Sequence, residues 1–214
     1  MVKIMEENRW NPYVLLKNEN VKELWLSHFH GKNKKVLFIL GKGFDVRMNL
    51  AIKSLINKCP DIDLDCLLVG LDEGKDSSSH KLQDLVDDNL NEINSILSSK
   101  KIIKKELKLW NSKGKKKVKI GDREASNLIG GYDEIKDYTD IIVDISALPR
   151  GVYFSLLGKL LTLIDKYSKN TQNLFVCISE NAKIDELTKE KATEGDGSFL
   201  HGFGGGIEIE SEMD

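Results

Sequence analysis

The sequence predicts an α/β fold: a doubly wound parallel sheet of about five strands, with helices on both faces. Three observations predict it. Short strand-like segments at 36–40, 64–71, 117–120, 141–146 and 173–179 alternate with segments whose apolar residues recur at helical spacing. The first and fourth, VLFIL and IIVDIS, are almost continuously apolar, as expected of parallel strands covered on both faces. Regular β–α alternation is the pattern of stacked right-handed βαβ units. The expected strand order is 3-2-1-4-5, which reverses the winding between strands 1 and 4.

The elements follow in order. Residues 20–29, NVKELWLSHF, form a short helix with Leu24, Leu26 and Phe29 apolar, and GKNKK turns the chain into strand 1 at Val36. Val46, Leu50, Ile52, Leu55 and Ile56 mark a helix over 46–58, closed by Pro60. LDCLLVGL, 64–71, is strand 2. DEGKDSSSH is turn-rich and feeds a long helix over 79–98, with Ser79 as N-cap. KVKI, 117–120, is the expected third strand, and 123–137 a weaker helix broken by Gly130 and Gly131. Strand 4, 141–146, leads through ALPRG into the most apolar helix, 151–167. Strand 5 is 173–179, and a short polar helix covers 182–192.

The 214 residues are 40% apolar and 31% charged, which suits one globular domain, assigned to 1–193. The tail, 194–214, holds a glycine cluster at 204–206 and six acids, with no lysine or arginine after Lys191. It is read either as an acidic segment or, from its IEIE alternation, as the opening of a strand continued beyond it. A net charge of −2 argues against a surface built for nucleic acid or anionic membrane. No apolar run reaches the roughly 18–20 residues of a membrane span, and MVKIMEENRWNPY has no secretory core, so a cytoplasmic location is expected. Cys59, Cys66 and Cys177 form no CxxC, and His28, His30, His80 and His201 show no zinc spacing, so neither metal nor cofactor is expected.

Two loops carry the chemistry. GKGFDVR, 41–47, follows strand 1: Gly41 and Gly43 let backbone amides approach a ligand, the next helix offers free N–H groups, and Lys42 and Arg47 add positive charge. It is neither a complete GxGxxG, since position 46 is Val, nor a P-loop. As scaffold alone, it is a tight turn capped by Asp45. DISALPRG, 144–151, follows strand 4 and clusters Asp144, Ser146 and Arg150 at the same expected rim. As scaffold alone, Asp144 pairs with Arg150 or Arg47. Open parallel sheets bind ligands where the winding reverses, outside the carboxyl ends of the strands. Asp72 or Glu73, closing strand 2, can hold ribose hydroxyls, and Glu180, closing strand 5 beside Asn181, can act as a general base.

The strand ending Asp-Ile-Ser, the short arginine-bearing loop and the apolar helix after it resemble the strand-4 motif of CRISPR-associated Rossmann fold (CARF) domains. The resemblance implies a Rossmann-like sensor of cyclic oligonucleotides, homodimeric, with ligand at the loops after strands 1 and 4. The matching positions are Gly41, Lys42, Gly43 and Phe44 in the first loop, and Asp144, Ser146 and Arg150 in the second. The family's threonine–glycine loop reads Ala147-Leu148-Pro149 here, and the Arg-x4-6-His ribonuclease motif is missing, so output is expected from an effector partner or from a region outside this chain.

The favoured expectation is therefore a domain binding a nucleotide or other phosphorylated small molecule, as a sensor in a prokaryotic defence system. One alternative is a nucleotide-processing hydrolase using Asp144 or Glu180; another is a protein-interaction subunit with no ligand. The run 100–119 holds ten lysines and one acid; its apolar residues Ile102, Ile103, Leu107 and Trp110 fit a helix with one solvated face better than a nucleic-acid contact.

Overall fold

A computed structural model describes residues 13–72, 78–113, 116–168 and 172–180. The elements run α1 (Glu19–Phe29), β1 (Lys35–Gly41), a 3-10 turn (Val46–Asn49) with α2 (Leu50–Lys58), β2 (Asp63–Asp72), α3 (Ser78–Lys81), α4 (Gln83–Ile96) and β3 (Lys101–Lys108). After the hairpin β4 (Trp110–Lys113)–β5 (Lys116–Lys119) come α5 (Gly121–Ser126), a 3-10 turn (Tyr132–Glu134), β6 (Asp140–Asp144), α6 (Arg150–Tyr167) and β7 (Asn173–Cys177). Five strands pair in parallel in the order β3-β2-β1-β6-β7. Counted along the chain these are strands 3-2-1-4-5, the doubly wound order expected of the sequence.

Strand periodicity divides the core between the two faces. Val36, Phe38 and Leu40 of β1, with Leu64, Cys66 and Leu68 of β2 and Ile142 of β6, pack against Trp25 and Phe29 of α1, Ile52 and Leu55 of α2, and Ile93 of α4. Leu37, Ile39, Leu67, Val69, Ile141 and Val143 pack on the other face against Ala125 of α5 and Val152, Leu156 and Leu160 of α6. Both central strands are buried throughout their apolar residues, which explains their unbroken apolar sequence.

The third strand is not KVKI. It is KIIKKELK, 101–108, inside the lysine run, and 116–119 instead forms an antiparallel hairpin with 110–113. The reason is edge position. β3 has a neighbour on one side only, and charged side chains on such a strand are a usual guard against pairing with other chains. Lys101, Lys104 and Lys108 are exposed, whereas Lys105 donates to Leu128 O at 2.6 Å and to Glu134. The helix expected over 79–98 is divided at Leu82, and that over 123–137 shrinks to 121–126 plus a 3-10 turn. The segments 182–192 and 194–214 lie outside the described residues. No helix among the described residues is long and apolar enough to cross a membrane.

At the amino end of β6, Asp140 anchors α1 and the edge strand. Its carboxylate meets His28 Nε2 at 2.7 Å and accepts from Thr139 Oγ1 at 2.6 Å and Asn173 Nδ2 at 2.8 Å. Burial raises the pKa of this carboxyl, but the hydrogen bonds outweigh burial and hold it below the usual range. Ile142, fully buried one turn of pleat away, is the test of the core on the α1 face. Ile142→Ala is expected to cost about 2–5 kcal/mol, read as a lower denaturant midpoint in chemical unfolding.

Candidate functional site

The loops after β1 and β6 lie side by side. A Cβ on Gly41 would stand 2.8 Å from Ala147 O and 2.8 Å from Leu148 Cδ2, so only glycine lets the second loop close on the first. Gly43 is next to it, with its virtual Cβ 3.7 Å from Ala147 Cβ. The contact follows from topology. The chain leaves β1 towards the face that carries α2, and leaves β6 towards the face that carries α6. The two exits diverge from neighbouring strand ends, the place where open parallel sheets bind ligands.

The first loop is held open by its own polar groups. Lys42 N–H donates to Val69 O at 2.7 Å, Gly43 N–H points to Met48 Sδ at 3.3 Å, and Gly43 O accepts from Asn89 Nδ2 at 3.0 Å. Asp45 caps the 3-10 turn by accepting from Arg47 N–H at 2.9 Å, and also holds the Arg47 guanidinium through Nε at 2.8 Å. Arg47 is therefore turned back on its own loop. Phe44 is half-buried in the same loop. Lys42 extends the other way, with Nζ 3.7 Å from Glu106 Oε1 of β3.

The second loop is organised by Asp144, the last residue of β6, in register between Leu40 of β1 and Cys177 of β7 and only 1% exposed. Its Oδ1 accepts from Ser146 N–H at 2.9 Å and from Ser146 Oγ. Ser146 Oγ in turn accepts from Ser179 N–H at 2.8 Å, and Ile145 N–H donates to Cys177 O at 2.9 Å, tying the loop to the end of β7. Asp144 Oδ2 is buried with no hydrogen-bond partner among the described residues. Neither Arg150 nor Arg47 pairs with it. Burial pushes the carboxyl up to about 6, although both bonds from Ser146 pull it down. The Cys177 thiol is pushed up to about 12, by burial first and then by the Asp144 charge. A thiol held protonated in that way is a poor nucleophile.

The expected site residues thus divide. Gly41, Gly43, Asp144 and Ser146 meet at the crevice, and Lys42 and Phe44 lie on its first loop. Arg150 opens α6 with its side chain exposed, one residue after Pro149, whose backbone is extended as the N-cap. Glu180 is exposed beside Ser179. Asp72 is set apart: it ends β2 three residues beyond Val69, the partner of Gly41, and faces Lys108 in the register of β3. At about 3.3 Å per residue that is roughly 10 Å past the loop. Glu73 and Asn181 lie outside the described residues. Gly70, Glu106 and Ser179 were not expected. Gly70 stood out in the sequence as the single glycine inside strand 2, a usual mark of close approach.

Neither a protein-family model nor a curated protein matches this chain.

Two outcomes test this geometry. Gly41→Ala is expected to destabilise by about 1–3 kcal/mol in thermal unfolding, because its Cβ meets a carbonyl oxygen, whereas Gly43→Ala stays near wild type. The second outcome concerns pH. The folded pKa of Asp144 is raised from 3.8 to about 6, so the fold favours the protonated form. Its stabilising effect is complete below the unfolded pKa and is lost as pH rises through about 6. Asp144→Asn is therefore expected to gain stability relative to wild type between pH 4 and 7, by about 2–3 kcal/mol at the plateau. Urea titrations of both proteins across that range read the difference directly.

Proposed function

We propose that this domain binds a nucleotide or another phosphorylated small molecule in the crevice between the loops 41–47 and 144–150, as a sensor module. One observation carries the reading: a buried carboxylate oxygen of Asp144 without a partner among the described residues, where the glycine-opened loop after β1 and the loop that opens α6 diverge from adjacent parallel strands. A half-satisfied buried carboxylate is costly. A ligand hydroxyl or amine that donates to it removes that cost. Lys42 and Arg150, with the amide end of α6, supply the positive field for phosphate.

The likeness of this loop pair to CARF domains supports a nucleotide as the ligand, and with it a homodimeric regulatory role in prokaryotic defence acting through an effector partner. The raised pKa of Asp144 favours a second reading, in which this carboxyl exchanges a proton with a bound nucleotide and the domain is a hydrolase.

Thermal-shift measurements with AMP, ATP, cyclic AMP and cyclic di-AMP test the proposal. At least one is expected to raise Tm by several degrees in wild type, and the rise is expected to vanish in the Lys42→Ala/Arg150→Ala double variant. If no nucleotide moves Tm, the binding reading fails. Chromatography of the same mixtures separates the two readings: products that disappear with Asp144→Ala identify the hydrolase.

A further inference from the structure

The carboxylate that meets Lys42 comes from an unexpected place. Glu106 sits on the edge strand β3, two strands away from β1, and is the register partner of Gly70 on β2. A Cβ on Gly70 would lie 2.0–2.3 Å from the carboxyl atoms of Glu106. The carboxylate therefore rests on bare backbone at Gly70 and crosses β2 through the space a side chain would fill. Strand alternation puts Gly70 and Glu106 on the same face as Asp144, the face carrying α2 and α4, and Lys42 reaches them there. The next row down the sheet contains Leu68, Leu40, Asp144 and Cys177. The ion pair thus lies at the crevice rim, one row above the buried carboxyl.

Glu106 is also the single acid among the ten lysines of 100–119. It is 63% exposed at its side chain and stands 3.7 Å from Lys42 Nζ, a separation and an exposure at which an ion pair holds weakly. The two other polar groups of the rim are closed by nearer partners, Arg47 by Asp45 and Ser146 by Asp144 and Ser179 N–H. Lys42 alone is held by a solvent-exposed carboxylate that a short rotation would release.

We infer that Glu106 is an internal stand-in for the phosphate of the ligand: its carboxylate occupies Lys42 across Gly70, and a phosphoryl group must displace it to bind. The inference rests on the binding reading above and extends it, because it makes Glu106 and Gly70 the residues that set how strong an anion the crevice accepts. A dianionic phosphoryl group displaces a carboxylate more readily than a monoanionic phosphodiester does, since it offers Lys42 more charge than it removes.

The test is calorimetric titration with pyrophosphate, ATP and cyclic di-AMP against wild type, Glu106→Gln, Gly70→Ala and Lys42→Ala. Gly70→Ala is the complementary variant, since its methyl group pushes the flexible end of Glu106 off Lys42 and leaves Glu106 itself in place. Both Glu106→Gln and Gly70→Ala are expected to tighten at least one probe about three- to tenfold. Pyrophosphate and ATP should exceed cyclic di-AMP in wild type, with the gap narrowing in Glu106→Gln. In a Lys42→Ala background the Glu106→Gln gain should disappear, and Glu134→Gln, which removes an acid from the ion pair with Lys105, should give no gain. Probes that bind equally to wild type and to both releasing variants overturn the inference and leave the binding reading standing. Failure of every probe to bind any of the proteins removes both.

Discussion

The structure turns on the pairing of β1 with β6. Five register pairs, from Val36 with Asp140 to Leu40 with Asp144, join a first half wound in one direction to a second half wound in the other. On one side of this seam the crossovers place α2 and α4 on one face; on the other they place α5 and α6 on the opposite face. Both halves bury their apolar strands only because the seam brings them into one sheet. The parting of the two loops is a by-product of the same pairing, since the two chains leaving the seam must reach opposite faces.

The two ends of β6 show how burial and hydrogen bonding decide what a carboxylate does. Asp140 and Asp144 are four residues apart, on one strand, and both are fully enclosed. Asp140 has Thr139, His28 and Asn173 around it, with Lys34 Nζ at 3.6 Å, and its pKa is lowered. Among the described residues Asp144 is served by Ser146 alone, one oxygen has no partner there, and its pKa is raised. The first is a structural anchor between helix and sheet. The second keeps unspent hydrogen-bonding capacity where the two loops part, with no partner for it among the described residues.

Much of this was legible in the sequence, and the parts that were not share a cause. Buried central strands announce themselves through unbroken apolar runs, so β1, β2 and β6 stand out, as does the glycine turn that follows β1. β3 did not, because an edge strand is half solvated: its four lysines and one glutamate resemble the wet face of a helix, and KIIKKELK has no clean alternation. The nearby KVKI looked more strand-like, yet it pairs only with its own hairpin. At the site, residue types were readable and side-chain directions were not. Arg47 was expected at the ligand but is claimed by Asp45 two residues earlier; Lys42 was expected free but meets Glu106, 64 positions along the chain. Such pairings depend on register between strands, which composition does not encode.

The central seam also has a kinetic side. Thr139 and Lys35, joined by Thr139 N–H to Lys35 O and Lys35 N–H to Thr139 Oγ1, are separated by 104 positions, so the chain must close the longest loop within the sheet before its middle exists. Loop closure of that span is paid in entropy before any contact returns it, and parallel sheets with such distant partners assemble slowly. Until β6 arrives, β1 presents VLFIL with one side unpaired, while the lysines of β3 already screen the far edge. The crevice is thus among the last features to take shape, and its integrity reports on completion of the whole fold.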